Sequence, residues 1–100
     1  MNGDAMYEYK HFIIDEQTGK AYLLGYHLEL TKNEYGILCL LCRRCDGVTV
    51  DEIVCINPER EIARGSVKVH ICNINKKAYR ISKRKLILFD GGKYRFNEFM

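Results

Sequence analysis

No stretch of this sequence approaches the roughly 18 consecutive apolar residues that a membrane-spanning helix needs. The N-terminus lacks the basic segment followed by an apolar segment that marks a secretory signal peptide. Internal repeats, low-complexity segments and linker-like stretches are also missing. One hundred residues suffice for one hydrophobic core and are too few for two. We therefore predict a single domain over residues 1–100, cytoplasmic and without a membrane partner.

The motifs of the common enzyme classes are missing as well. There is no nucleophile elbow, no glycine-rich loop that would hold a phosphate and no metalloprotease motif. Adjacent acidic pairs, such as Asp15 with Glu16, are more typical of turns and helix caps than of a catalytic pair. The three histidines are far apart and form no ligand motif. The sequence predicts no enzymatic activity, no cofactor and no metal site.

The five cysteines do not indicate a disulfide framework, because their number is odd and no export signal accompanies them. Three of them, Cys39, Cys42 and Cys45, are spaced three residues apart, and thiolates at that spacing can share a metal or a cluster. On a helix these positions spread around most of the circumference, which suits tetrahedral binding poorly. Core packing is the main interpretation, and a cysteine-based metal or redox sensor is a minor alternative.

Charge is distributed unevenly along the chain. Residues 1–59 contain five Lys or Arg and ten Asp or Glu, whereas residues 60–100 contain eleven and three, so the net charges are −5 and +8. The difference of 13 charges indicates a polyanionic partner for the C-terminal part.

One stretch of this basic part has helical periodicity. Val67, Ile71, Ile74 and Ala78 are spaced i, i+4, i+7 and i+11, which places them on one stripe of a helix. Polar and basic residues fall on a different face: Ser66, His70, Asn73, Lys77 and Arg80. A helix with an apolar back and a polar, basic front can lie in the major groove of DNA. An ordinary solvated amphipathic helix would show the same pattern.

The remaining segments predict an α+β domain. Strands are expected over residues 7–15, 20–24 and 26–30, as an antiparallel sheet of three or four strands. Thr31 with Glu34 forms a capping box for a helix whose stripe is Tyr35, Leu38, Leu41, Cys42 and Cys45 and which Gly47 ends. Thr49 with Glu52 begins a shorter helix with Ile53, Val54 and Ile56 toward the core. A hairpin of residues 86–89 and 94–96, with Asp90-Gly91-Gly92 as its turn, follows the third helix.

This order resembles the OmpR/PhoB-type winged-helix DNA-binding domain, the output domain of many bacterial response regulators of two-component systems. Three segments carry the resemblance: Leu30-Thr31-Lys32-Asn33-Glu34-Tyr35, Ser66-Val67-Lys68-Val69-His70-Ile71 and Gly92-Lys93-Tyr94-Arg95-Phe96. It spans a core of about residues 12–96. It implies a winged helix-turn-helix that binds double-stranded DNA and regulates transcription. The third helix would enter the major groove, with the hairpin wing on the flanking backbone.

The resemblance also implies where contacts lie. The groove contacts would be Ser66, Val69, His70, Asn73 and Lys77. The phosphate contacts would be Lys68, Lys76, Arg80, Lys83, Arg84, Lys85, Lys93 and Arg95. RNA polymerase would meet the connection over residues 55–64, and two copies would bind DNA head to tail.

The sequence departs from the family pattern in its charged positions. Arginines common on the recognition helix are replaced by Cys72, Asn73 and Asn75, although asparagine can still read adenine. At the wing tip, Asp90 is unfavourable near phosphates unless a cation such as Lys93 pairs with it. A degenerate winged helix that binds a protein is therefore the alternative function. An exposed apolar patch near Val69 and Cys72 would favour that alternative.

Overall fold

The computed structural model describes residues 6–9, 12–44, 46–55 and 62–97. Four strands, three helices and a final pair of strands follow one another in the chain, which confirms the predicted α+β winged-helix class. None of the described helices combines the length and the apolar content that a membrane crossing requires.

The N-terminal sheet is antiparallel and has four strands in sequential order. They are β1 (Met6–Tyr9), β2 (Phe12–Asp15), β3 (Lys20–Leu23) and β4 (Tyr26–Leu28). The prediction of one strand over residues 7–15 was wrong. The chain reverses within it, so that Tyr9 pairs with Phe12 and Met6 pairs with Asp15. The imperfect alternation of that segment therefore belongs to two short strands.

One face of this sheet enters the core. Phe12, Ile14, Ala21 and Leu23 alternate along β2 and β3 and are almost completely buried. The predicted strand over residues 26–30 ends at Leu28.

Helix α1 (Lys32–Arg43) begins where the capping box predicts. The Thr31 Oγ accepts from the Glu34 N–H at 3.2 Å, and the Glu34 carboxylate accepts from the Thr31 N–H at 3.0 Å. Leu38 and Leu41 are buried as predicted, whereas Tyr35 and Cys42 are only half-buried. Cys39 is also buried, in agreement with its interpretation as a core residue, whereas the burial of Glu34 and Ile37 was not predicted. Cys45 lies outside the described residues.

The prediction that Gly47 ends α1 was wrong. The helix ends at Arg43, and Gly47 lies beyond the cap residue Arg44, to whose carbonyl it donates its N–H at 3.0 Å. Gly47 has a φ of +102°, and a Cβ there would lie 3.1 Å from the Lys93 Cβ and 3.2 Å from the Tyr94 carbonyl oxygen. Glycine is required here because the backbone passes close to the C-terminal hairpin.

Helix α2 (Val50–Val54) also has its predicted capping box, in which the Glu52 carboxylate accepts from the Thr49 N–H at 2.8 Å. Ile53 is fully buried and Val54 is half-buried. Ile56, which was also expected on the core face, lies outside the described residues.

Helix α3 (Val67–Ser82) follows a single 3₁₀ turn over Arg64–Ser66. All four residues of the predicted stripe are buried. The helix ends where Lys83 adopts a left-handed conformation with φ +63°, and the Lys83 N–H donates to the Tyr79 carbonyl at 2.9 Å.

The C-terminal hairpin consists of β5 (Ile87–Asp90) and β6 (Lys93–Phe96), so Leu86 precedes the strand and Asp90 belongs to it. Gly91 and Gly92 both have positive φ, as the tight two-residue turn requires. Val48 adds a bridge to the hairpin through two backbone hydrogen bonds with Tyr94, of 2.8 and 2.7 Å. The rings of Phe12 and Phe96 lie 5.4 Å apart, so the hairpin and the N-terminal sheet share one core.

Asn75 joins α3 to the hairpin. Its Nδ2 donates to the Ile87 carbonyl at 3.0 Å, and its Oδ1 accepts from the Ile87 N–H at 2.8 Å. The Asn75 amide therefore satisfies both backbone hydrogen-bonding groups of Ile87. The sequence had suggested base reading for Asn75, but in this structure its amide is occupied by β5.

Replacing Asn75 with alanine should lower the free energy of unfolding by about 1–2 kcal/mol, because both backbone groups of Ile87 lose their partner. Urea denaturation monitored by circular dichroism measures the change. Asn73→Ala is the control on the same helix and should stay within about 0.5 kcal/mol of the parent. An equal loss for the two variants would contradict the structural role of Asn75.

Candidate nucleic-acid interface

The most exposed side chains of α3 form an outer face opposite the buried stripe. They are Lys68, Val69, Cys72, Lys76, Tyr79 and Arg80. Of the residues assigned to the groove, Val69 alone belongs to this set, and it is 56% exposed. Lys68, Lys76 and Arg80, which were assigned to phosphates, share the face. The outermost surface of α3 is therefore more basic than the predicted groove set.

The other predicted groove residues lie on one flank of α3. Ser66, His70, Asn73 and Lys77 are all half-buried. Lys77 is held toward the core, because its Nζ donates to the Glu34 carboxylate at 2.6 Å and the Glu34 side chain is 2% exposed. The Lys77 ammonium thus neutralises a buried carboxylate of α1.

The turn after α3 extends the positive surface. Lys83, Arg84 and Lys85 are all exposed. The Ser82 hydroxyl orders this turn, since it accepts from the Arg84 N–H at 3.2 Å and lies 3.2 Å from the Ala78 carbonyl oxygen. Three cations therefore stand together at the end of the helix.

On the hairpin, the partner suggested for Asp90 was wrong. Asp90 pairs with Arg95 at 2.7 Å, and Lys93 lies 4.0 Å from the Asp46 carboxylate. Both basic residues assigned to phosphates on the wing are thus already near a carboxylate. Because Asp90 and Arg95 are diagonal neighbours on adjacent strands and form an ion pair, the wing carries less free charge than the helix.

Charge over α3 and the hairpin is almost entirely positive. Residues 62–97 contain ten Lys or Arg and one acidic residue, Asp90. Six of these cations form no ion pair with any residue in the described ranges. They are Lys68, Lys76, Arg80, Lys83, Arg84 and Lys85. Unpaired cations on one side of a small domain create a field that attracts polyanions.

A cleft of about 1220 Å³ lies between the exposed sides of α3 and the hairpin. Its apolar wall includes Tyr79 and Phe89, which are 54% and 59% exposed. The Phe89 ring packs against Tyr94 with centroids 4.7 Å apart. Sequence reasoning missed this wall, although Phe89 lies two residues after the buried Ile87 and therefore on the same face of β5.

The cysteines give little support to a metal or redox site. In the described part of the chain, no group of three or more His, Cys, Asp or Glu residues is placed to hold a metal ion. Burial, followed by the charge of Cys39, raises the pKa of the Cys42 thiol to about 12. Burial also raises the pKa of Cys39. Both thiols therefore stay protonated at neutral pH, which disfavours metal ligation and nucleophilic attack.

Brief treatment of the native protein with iodoacetamide at pH 8 should modify Cys55 and Cys72, which are exposed, and spare Cys39 and Cys42. At a pKa of about 12, the thiolate fraction of Cys42 is on the order of one in ten thousand. Peptide mapping by mass spectrometry measures each site, and modification in denaturant provides the control. Early modification of Cys42 would contradict its protonated, half-buried state.

Two solved structures with a similar fold are DNA-binding domains. The DNA-binding domain of the response regulator AdeR, crystallised in complex with an intercistronic region, aligns with a TM-score of 0.74 and 23% identity, over 91% of this chain and 97% of that domain. The chain has the fold of OmpR/PhoB-type response-regulator DNA-binding domains. The DNA-binding domain of CpxR from E. coli aligns with a TM-score of 0.72 and 20% identity, over 91% of this chain and 94% of that one.

Longer proteins match over part of their length. A streptococcal protein, described as one of a family of redox sensors that evolved from two-component response regulators, aligns with a TM-score of 0.79 and 21% identity, over 92% of this chain. This chain spans 42% of that protein's length. No protein-family model matches the sequence, and neither does any curated protein.

Proposed function

We propose that the protein binds double-stranded DNA through α3 and the turn that follows it, and that it regulates transcription. The observation that carries the proposal is the set of six cations along the outer face of α3 and its C-terminal end that form no ion pair within the described part of the chain. Phosphate contacts supply most of the affinity of such surfaces for DNA. The fold is that of domains such as the AdeR domain, which was crystallised with DNA.

Within this proposal the predicted residues divide by exposure. Lys68, Lys76 and Arg80 take phosphates along the helix, and Lys83, Arg84 and Lys85 take phosphates at its end. Val69 is exposed enough to reach a thymine methyl group, and Asn73 can offer its amide to adenine from the flank. Ser66 and His70 stand beside them at the start of the helix. Lys77 is paired with Glu34, so its contribution to DNA binding is mainly through the local electrostatic potential.

The wing contacts are secondary in this proposal. Arg95 and Lys93 approach the flanking backbone with part of their charge already neutralised by Asp90 and Asp46. Two expectations from the family remain part of the proposal. RNA polymerase would meet the connection over residues 55–64, and two copies would bind DNA head to tail.

Fluorescence anisotropy of labelled mixed-sequence duplex DNA tests the proposal. We expect non-specific binding at about 1–100 µM that weakens with salt. The logarithmic slope should correspond to about four to six phosphates, at roughly 0.9 per contact. Selection from a random duplex library would then define the preferred site. Absence of binding at low salt, or binding without a salt slope, would refute the proposal.

A further inference from the structure

The cleft between α3 and the hairpin combines an apolar wall with a basic edge. The wall contains Ile71 and Tyr79 of α3 together with Leu88 and Phe89 of β5. On the α3 side, Lys68, Cys72, Lys76 and Arg80 recur every fourth residue and form a row along one ridge of the helix surface. Asp90 is the one carboxylate among the described lining residues, and it is already paired with Arg95.

The dimensions of the cleft favour an elongated occupant. From Lys68 to Arg80 the row runs for twelve residues, which is about 18 Å of helix. The cleft volume of about 1220 Å³ exceeds the roughly 300–1,000 Å³ typical of small-molecule sites. A helix of about three to four turns matches this length.

The apolar wall indicates a ligand with apolar as well as charged groups. Tyr79 and Phe89 expose more than half of their surface, and phosphate binding alone does not account for two exposed aromatic rings on facing elements. Aromatic residues beside basic ones are typical anchors for a helix that lies in a groove. The complementary ligand carries large apolar side chains at i, i+3, i+4 and i+7, flanked by carboxylates.

We propose that the α3–hairpin cleft binds an acidic amphipathic helix of a partner protein. Its apolar stripe packs between Tyr79 and Phe89, and its carboxylates face Lys68, Lys76 and Arg80. The same cations serve DNA in the proposed function, so the helix and DNA exclude each other. Helix binding itself does not require that the protein bind DNA.

The test uses lactam-stapled synthetic peptides of about four turns. One panel carries leucine and phenylalanine at i, i+3, i+4 and i+7 between glutamates, with the register varied. A scrambled panel has the same composition without the stripe. Chemical-shift mapping on the ¹⁵N-labelled full chain should give dissociation constants of about 10–100 µM for a striped peptide. The shifted amides should include those of Cys72, Tyr79 and Phe89.

Two variants and one control locate the site. Phe89→Ser should weaken striped-peptide binding at least about tenfold. Lys76→Glu combined with Arg80→Glu should abolish it. Tyr26→Ser is the matched control, because Tyr26 is an exposed aromatic residue on β4 and should leave binding unchanged. Thermal denaturation confirms that each variant is folded.

The outcomes separate the possible occupants. Equal binding of the striped and scrambled panels would show that the site binds polyanions through charge alone and would overturn the proposal. Absence of binding by every striped peptide would also overturn it. Self-association that Phe89→Ser removes would identify a second copy as the occupant and overturn it too. Displacement of labelled duplex DNA by the striped peptide, measured separately, tests mutual exclusion. If the chain fails to bind DNA, the proposed function fails while the peptide result still stands.

Discussion

Replacing Lys77 with methionine should lower the free energy of unfolding by about 3 kcal/mol. Methionine keeps most of the length of the side chain and removes the ammonium, which leaves the Glu34 carboxylate buried without its cation. Breaking one side of a buried pair costs about 3–5 kcal/mol, and the one-third exposure of Lys77 places this pair at the lower end. Urea denaturation of the purified protein measures the change.

The neighbouring substitution Lys76→Met is the matched control for this prediction. Lys76 is exposed and forms no ion pair with any described residue, so its loss should change stability by about 0.5 kcal/mol or less. The double variant Glu34→Gln with Lys77→Met should be more stable than Lys77→Met alone, because glutamine is neutral and can still accept from the Thr31 N–H. If Lys77→Met unfolds like Lys76→Met, the buried pair is not a stabilising contact.

Replacing Lys83 and Arg84 together with alanine should weaken binding to every DNA sequence by about 50-fold at 0.1 M salt. Each lost phosphate contact removes about 0.9 from the logarithmic salt slope, so the slope should fall by about two. Neither residue is paired in the described structure, and both are exposed, so stability should hardly change. Anisotropy titrations at several salt concentrations give both quantities.

Lys20 and Lys32 provide the control pair for this experiment. Both are exposed, and both belong to the N-terminal half, on β3 and at the start of α1. Their joint replacement by alanine removes the same charge from the protein as a whole. A similar loss of affinity for the two double variants would show that net charge, rather than the end of α3, governs binding.

The local signals in the sequence predicted the elements well. Both capping boxes lie where Thr31 and Thr49 place them, because a cap depends on residues three positions apart. The buried stripe of α3 follows from helical periodicity alone. Contacts between distant segments were harder to predict. Nothing near Lys77 indicates that its partner is Glu34, 43 residues away, and nothing near Asn75 indicates that it binds Ile87.

The site was predicted in outline and not in detail. The basic C-terminal part was evident from charge, but which side of α3 faces outward depends on how the helix rotates over the core. Buried Val67, Ile71, Ile74 and Ala78 turn Lys76 and Arg80 outward and leave His70 and Asn73 on the flank. On the hairpin, Asp90 pairs with Arg95 because register brings them close, and register is set by the two glycines of the turn.

The Asn75 amide and the Val48–Tyr94 bridge have a joint consequence for recognition. One ties β5 to α3, and the other ties β6 to the segment before α2. The hairpin therefore already has its position in the unbound protein, and its distance from α3 is fixed. A ligand meets two surfaces at a preset separation, so the entropy lost on binding comes mainly from long side chains such as Lys76 and Arg80. Shortening those side chains would weaken the attraction to a ligand, whereas loss of the Asn75–Ile87 hydrogen bonds would lower specificity among ligands.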